Sequence, residues 1–258
     1  MDETQFLKAA AVLAWFLLVF VGERLQPAAP VPPAVAAPPA ARDRLGRNLA
    51  LWLINVLLSP LIVIPLSAWA ARYAWHWRPD SWNGVPALLL DLLLLDFLIY
   101  WWHRLNHELP VLWRFHQVHH RDRFLDSSSA LRFHFGEVLI SALARAAVIW
   151  LLNIPLTTVL LFEAILLAAT IFHHSNLRLD AGLERALSRL IVTPSIHWVH
   201  HHAVRADTDS NYATVLSLWD PLFRSRSRTQ RQPAMLIGAE GADERPLLEL
   251  LLLPFRRR

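Results

Sequence analysis

Five long apolar runs dominate the chain: residues 6–21, about 48–70, 86–102, 137–152 and 156–172. Runs of this length and polarity predict membrane helices. The last two are short. Sixteen helical residues at 1.5 Å each cover only about 24 Å, so they read either as full spans or as a shallow re-entrant hairpin. The residues before the first run, MDETQ, lack a basic leader, which predicts a retained span and not a cleaved peptide. Residues 27–40, PAAPVPPAVAAPPA, predict an extended polyproline-type linker. Residues 73–82, YAWHWRPDSW, predict an aromatic belt at the membrane surface. Residues 247–255, LLELLLLPF, are too few to cross and predict a short helix on the membrane surface or docked on the domain. The expected fold is all-α, an integral membrane helical bundle with a cytoplasmic histidine-rich cap. Three regions are expected: an N-terminal span and linker (1–47), a membrane catalytic domain (48–223) and a basic tail (224–258).

Composition supports that pattern and removes several chemistries. The 258 residues are 55% hydrophobic and only 18% charged, too apolar for an ordinary soluble domain. There is no cysteine, which excludes disulfides, thiolate metal sites, iron–sulfur clusters and a cysteine nucleophile. The seven glycines form neither a dinucleotide-binding nor a phosphate-loop pattern. Net charge is +4, mostly from arginine. In a membrane protein this points to anionic lipid contact and not to nucleic acid. Arg24, Arg42, Arg44 and Arg47 follow the first run, whereas only Arg72 and Arg78 follow the second. The positive-inside rule then puts the first loop in the cytoplasm and, by alternation, every histidine cluster on that side. A bacterial inner membrane is the expected location.

Histidine is the candidate chemistry. His103 and His107 stand four apart. His116, His119 and His120 form an i, i+3, i+4 triplet, and His197, His200 and His201 repeat it. His173 and His174 close another apolar run. Such spacings gather imidazoles on one side of a helix, and neutral imidazole is the commonest metal ligand. These ten of the thirteen histidines predict a binuclear metal site. His76 reads as an interface residue, His202 as a neighbour of the site, and His134 as a partner of Glu137. Asp96, Tyr100, His103 and His107 share one helical stripe, so Asp96 is either the hydrogen-bond partner of a ligand's second ring nitrogen or an interhelical partner of Arg145. Asp91 and Glu163 are expected to pair inside the bundle.

The chain resembles the fatty acid hydroxylase/sterol desaturase superfamily of membrane di-iron enzymes. The likeness rests on Asp96, Tyr100, His103, Arg104 and His107; on Trp113, Phe115, His116, His119 and His120; and on Arg132, Phe133, His134 and Glu137. It continues through Phe172, His174, Ser175 and Asn176, then His197, His200 and His201, and finally Asp209, Asn211, Tyr212, Trp219, Asp220, Leu222 and Phe223. Three departures stand out: Ala213 and Arg224 where the family usually has glycine, and Phe135 where it usually has proline. The resemblance implies a lipid hydroxylase or desaturase with two irons held by the ten histidines. Zinc is a possible occupant of isolated protein. Asp96, Tyr100, Glu137 and Asn211 are the implied catalytic set. Dioxygen and a bilayer lipid would be the substrates, and a separate ferredoxin or cytochrome would supply electrons. A metal-transport protein or an inactive relative fits the same histidines, although ligands at the ends of spans favour the enzyme.

Overall fold

The computed structural model describes residues 3–256, with side chains from residue 10 onward. Helix α1 (Glu3–Leu25) carries the first apolar run. Among the described residues four helices, all after α1, are long and apolar enough to cross a membrane: α2 (Ala40–Arg72), α3 (Gly84–Glu108), α5 (Phe135–Leu152) and α6 (Leu156–His174). Between α3 and α5 lies the short helix α4 (Pro110–His120). The remainder is a cap of short helices, α7 (Ala181–Leu187) and α8 (Pro194–His200), with long loops and a terminal helix α9 (Leu247–Leu252). Among the described residues no strand forms, only three isolated bridges. The chain is thus an all-α membrane bundle.

Proline sets most boundaries. Pro60 and Pro65 cannot donate within the helical ladder, and α2 passes through a π-helical turn at Ser59–Val63 without breaking. Leu109 is extended (φ −92°, ψ 117°), as a residue before proline prefers, so α3 stops and Pro110 opens α4. Asn153 ends α5 in the left-handed region at φ 50°. At 18 and 19 residues, α5 and α6 are about 27–28 Å long. That nearly matches a hydrocarbon core of about 30 Å, so each is long enough to span.

Inside the bundle, Ala70, Leu95, Ala146, Ile149, Val159 and Phe162 pack into one apolar core. Leu53, Leu57, Leu61, Leu89 and Leu143 face outward and are exposed, the pattern of helices solvated by lipid. Residues 27–40 differ from the expected extended, non-helical linker. Pro33 takes the first position of a single helical turn, Pro33–Ala36, where its missing N–H costs nothing. Ala29 and Val35 are buried against Phe124, Leu125 and Trp198, and the Ala28 N–H donates to the Asn176 carbonyl at 2.8 Å. Helix α9 also docks, with Leu250 buried against Leu51 and Val118.

Candidate metal centre

Each histidine cluster arrives on a helix end. Helix α3 delivers His103 and His107, α4 delivers His116, His119 and His120, α6 ends on His173 and His174, and α8 supplies His197 and His200 with His201 just beyond. Buried charges clamp these ends. The Arg44 guanidinium of α2 bonds Asp122 at 2.5 Å and Asp126 at 2.8 Å, both in the loop after His120. Burial opposes ionisation of Asp122, but Arg44 and Arg132 outweigh it and bring its carboxyl down to about 2. Gly136 lets α5 start against Phe115, since a Cβ there would lie 2.5 Å from the ring. That close approach sets Glu137 beside His116.

The imidazoles form two buried groups. One is His103, His107, His116, His120 and His200; the other is His119, His174, His197 and His201. Within each, the candidate ligand atoms lie within 4.8 Å of one another. Both triplets are split between the groups. At 100° per residue, His116 and His120 nearly coincide in direction whereas His119 turns away. His197 and His201 similarly leave His200 for the other group. Each triplet therefore straddles two centres.

Ring protons identify the free nitrogens. The Nδ1 atoms of His103, His119, His174 and His200 meet the carbonyls of Tyr212, Arg132, Thr170 and Ser210 at 2.7, 3.1, 2.8 and 2.6 Å. A carbonyl only accepts, so Nδ1 carries the proton and Nε2 a lone pair. Yet Nε2 of His119 lies 2.9 Å from Nε2 of His174, which lies 3.1 Å from Nε2 of His197, itself 3.1 Å from Nε2 of His201. Between His119 and His174, both protonated on Nδ1, two lone pairs face each other and repel unless a cation sits between them. Two nitrogens each about 2.1 Å from one metal and at right angles stand about 3 Å apart. In the other group His107 and His120 lack a hydrogen-bond partner at both ring nitrogens, as do Nε2 of His116 and His200. Orphans of this kind cost about 1–3 kcal/mol each and fit metal ligation. Burial, then the neighbouring imidazoles, holds His119, His120, His197 and His201 well below the ordinary histidine value; burial and His103 do so for His200. The rings are therefore neutral, as ligands must be.

A cavity of about 320 Å³ adjoins both groups, reached by His103, His116, His119 and His174 and walled by Trp52, Ile99, Leu131, Leu166 and Leu167. A polar cavity of about 600 Å³ reaches His107 from another side, past Trp113, Arg205 and Glu240.

Other expected residues take different places. His173 belongs to neither group, although its ring centroid lies 4.0 Å from that of His197. His202 bonds Asp207 at 2.8 Å. The partner of Glu137 is His116, whose Nδ1 lies 2.8 Å from Oε1. His134 instead caps α5, accepting from the Gly136 N–H at 2.9 Å while its Nε2 donates to the Leu251 carbonyl at 3.0 Å. Asp96 meets neither a histidine nor Arg145. It accepts from Trp219 Nε1 at 2.8 Å and the Leu216 N–H at 3.2 Å. Arg145 pairs with Glu163 and Asp91 with Arg78, both at 2.8 Å. Tyr100 contacts Ser225 Oγ at 2.8 Å. Asn211, at φ 51°, donates to the Ile196 carbonyl at 3.2 Å and accepts from the Ser227 N–H at 3.0 Å. It lies between Ser210 and Tyr212, whose carbonyls hold His200 and His103. Arg224 has φ 56°, the region that favours glycine, which accounts for the glycine expected there. The four carbonyl partners were not legible in the sequence, because backbone groups carry no residue code.

A helical membrane bundle with two buried histidine groups able to hold metal defines a class of protein. The chain belongs to the fatty acid hydroxylase family, whose sequence model matches residues 88–225. It is 31% identical over 199 residues to the ornithine lipid hydroxylase OlsE of Rhizobium tropici, covering 77% of this chain and 59% of that protein. With the alkylglycerol monooxygenase of Danio rerio it shares 32% identity over 163 residues, 62% of this chain and 35% of that protein. A cholesterol 25-hydroxylase-like protein of Danio rerio is 32% identical over 188 residues, 68% of this chain and 69% of the relative. The chain therefore spans less than two thirds of the length of the first two relatives. No solved structure matches it.

Proposed function

We propose that this protein is a membrane-bound lipid hydroxylase or desaturase that uses two histidine-held irons and dioxygen to oxidise a C–H bond. The observation that carries this reading is the chain of facing Nε2 atoms 2.9–3.1 Å apart, unprotonated at His119 and His174, beside a largely apolar cavity. His103, His107, His116, His120 and His200 would hold one iron, and His119, His174, His197 and His201 the other. Imidazole ligands suit iron that cycles between oxidation states, and zinc could replace it in isolated protein. Iron supplies the power to reduce dioxygen and attack an unactivated C–H bond. In hydroxylation one oxygen atom enters that bond and the other leaves as water, consuming two electrons and two protons.

The chain's own groups bind and orient. Glu137 and the four carbonyls fix the ring protons on Nδ1, so that Nε2 faces inward. The apolar walls admit a lipid chain and keep water from the reacting carbon. Protons would reach His107 through the polar cavity. Asp96, Tyr100 and Asn211 act by positioning the loop that carries Ser210 and Tyr212.

Electrons would come from a separate ferredoxin- or cytochrome-type carrier. Arg224, Arg226 and Arg228 are exposed and could meet an acidic carrier, whereas Arg231 is partly buried, 3.9 Å over the Trp198 ring. The arginine distribution supports a cytoplasmic cap in a bacterial inner membrane. A C-terminal reporter should be active in the cytoplasm, and periplasmic activity would reverse that orientation. The reaction is tested by feeding ¹⁸O-labelled dioxygen to cells with and without the protein and analysing their lipids by mass spectrometry. A lipid carrying one labelled oxygen, or a new double bond, only in expressing cells is expected. Identical lipid profiles would refute the proposal.

A further inference from the structure

Two polar stripes run from the histidine groups into the membrane. Glu137, Ser141 and Arg145 repeat every four residues on α5. Glu163, Thr170 and His174 fall at i, i+7 and i+11 on α6, again one face. All six line the same cavity. The stripes end where Arg145 Nη1 meets Glu163 Oε1 at 2.8 Å, with side chains 23% and 31% exposed. Arg145 is eight residues beyond Glu137 and Glu163 eleven before His174, so the pair lies about 12–16 Å along the helices from the histidine end. Ionisable residues at that depth are costly and functional by default. A pair serving only to staple two helices has no reason to face a cavity.

We propose that Arg145 and Glu163 form a polar subsite within the lipid cavity that recognises a hydroxyl group on the substrate chain. This inference rests on the lipid-oxidation reading above and adds to it the kind of lipid preferred. The pair is neutral as a whole. A carboxylate or phosphate placed there would meet Glu163, and an ammonium would meet Arg145. A hydroxyl suits both, accepting from the Arg145 guanidinium and donating to a Glu163 carboxylate oxygen. The spacing places that group about 12–16 Å from the oxidised carbon, which makes the pair a ruler for chain position as well as a filter for polarity.

The test measures binding without turnover. Purified full-length protein in detergent, kept free of oxygen and reductant, is titrated with 12-hydroxystearate and with stearate and followed by native mass spectrometry. Wild type is expected to bind the hydroxylated probe about tenfold more tightly, the effect of one hydrogen bond to a charged partner. The double variant Arg145→Met with Glu163→Met should bind both probes equally, at the level of stearate on wild type. Equal binding of the two probes by wild type, or an undiminished preference in the double variant, would overturn the subsite. If the double variant does not fold, Glu163→Gln alone must lower the preference several-fold, and an unchanged ratio has the same force. Because no oxidation is measured, a preference that survives alongside unlabelled lipids in the ¹⁸O experiment would sink only the oxidation reading.

Discussion

Replacing Glu137 with alanine should weaken one metal site and spare the other. Among the described residues, Glu137 is the only carboxylate within 3 Å of a grouped histidine, at 2.8 Å from His116 Nδ1. It fixes which nitrogen of His116 carries the proton and makes Nε2 a better donor. Losing such an outer partner typically lowers metal affinity 10- to 100-fold, about 1.4–2.8 kcal/mol. The structure localises the loss, because His116 belongs to the group of five, whereas the group containing His119 keeps its own carbonyl partners. Glu137→Gln leaves an acceptor in place without the charge and should lose only a few-fold. The assay is chelator competition on purified protein, with metal counted by elemental mass spectrometry. The alanine variant should shed about one equivalent at a chelator concentration that wild type withstands. Full retention, or parallel loss of both equivalents, would refute the assignment of Glu137 to a single site.

Three further outcomes follow from the same geometry. Asp96→Ala leaves the buried Trp219 Nε1–H and Leu216 N–H unpaired and should cost about 2–4 kcal/mol. Thermal unfolding should show that loss, and metal should be shed at a lower chelator concentration than from wild type, because the loop that orients His103 and His200 is loosened. Acid should release the metal only well below the ordinary histidine range, because burial and the neighbouring imidazoles already disfavour ring protonation. Chelator-accessible metal should stay flat as pH falls through about 6.5 and rise only at lower pH; release that begins at or above about pH 6.5 would contradict ligation by these buried histidines. Arg44→Leu strips the partner from buried Asp122 and Asp126 and should destabilise the protein by about 3–5 kcal/mol; a melting temperature equal to wild type would show that this clamp is dispensable.

Much of the architecture was legible because it rests on local rules. Apolar run length marked the helices, and Pro110 marked the break between α3 and α4. The histidine spacings marked ten candidate ligands, nine of which enter the two groups. The division between groups was harder to read, since a triplet looks like one unit until its 100° steps are followed in three dimensions. Residues 27–40 looked extended and non-helical because proline content outweighed the small apolar residues, and burial of Ala29 and Val35 depends on the distant Phe124 and Trp198. Asp96 lay on the histidine stripe, yet its partners come from a loop about 120 residues later. The carbonyls that orient His103, His119, His174 and His200 have no sequence signature at all.

The central claim is that two separate histidine groups each hold a metal, and iron stoichiometry tests it most directly. Protein loaded with ferrous iron without oxygen, desalted and assayed for iron should retain two equivalents per chain. His119→Ala and His200→Ala, one from each group, should each retain about one, and the double variant close to none. Two equivalents retained in both single variants would contradict the account, as would a wild-type protein that keeps no iron.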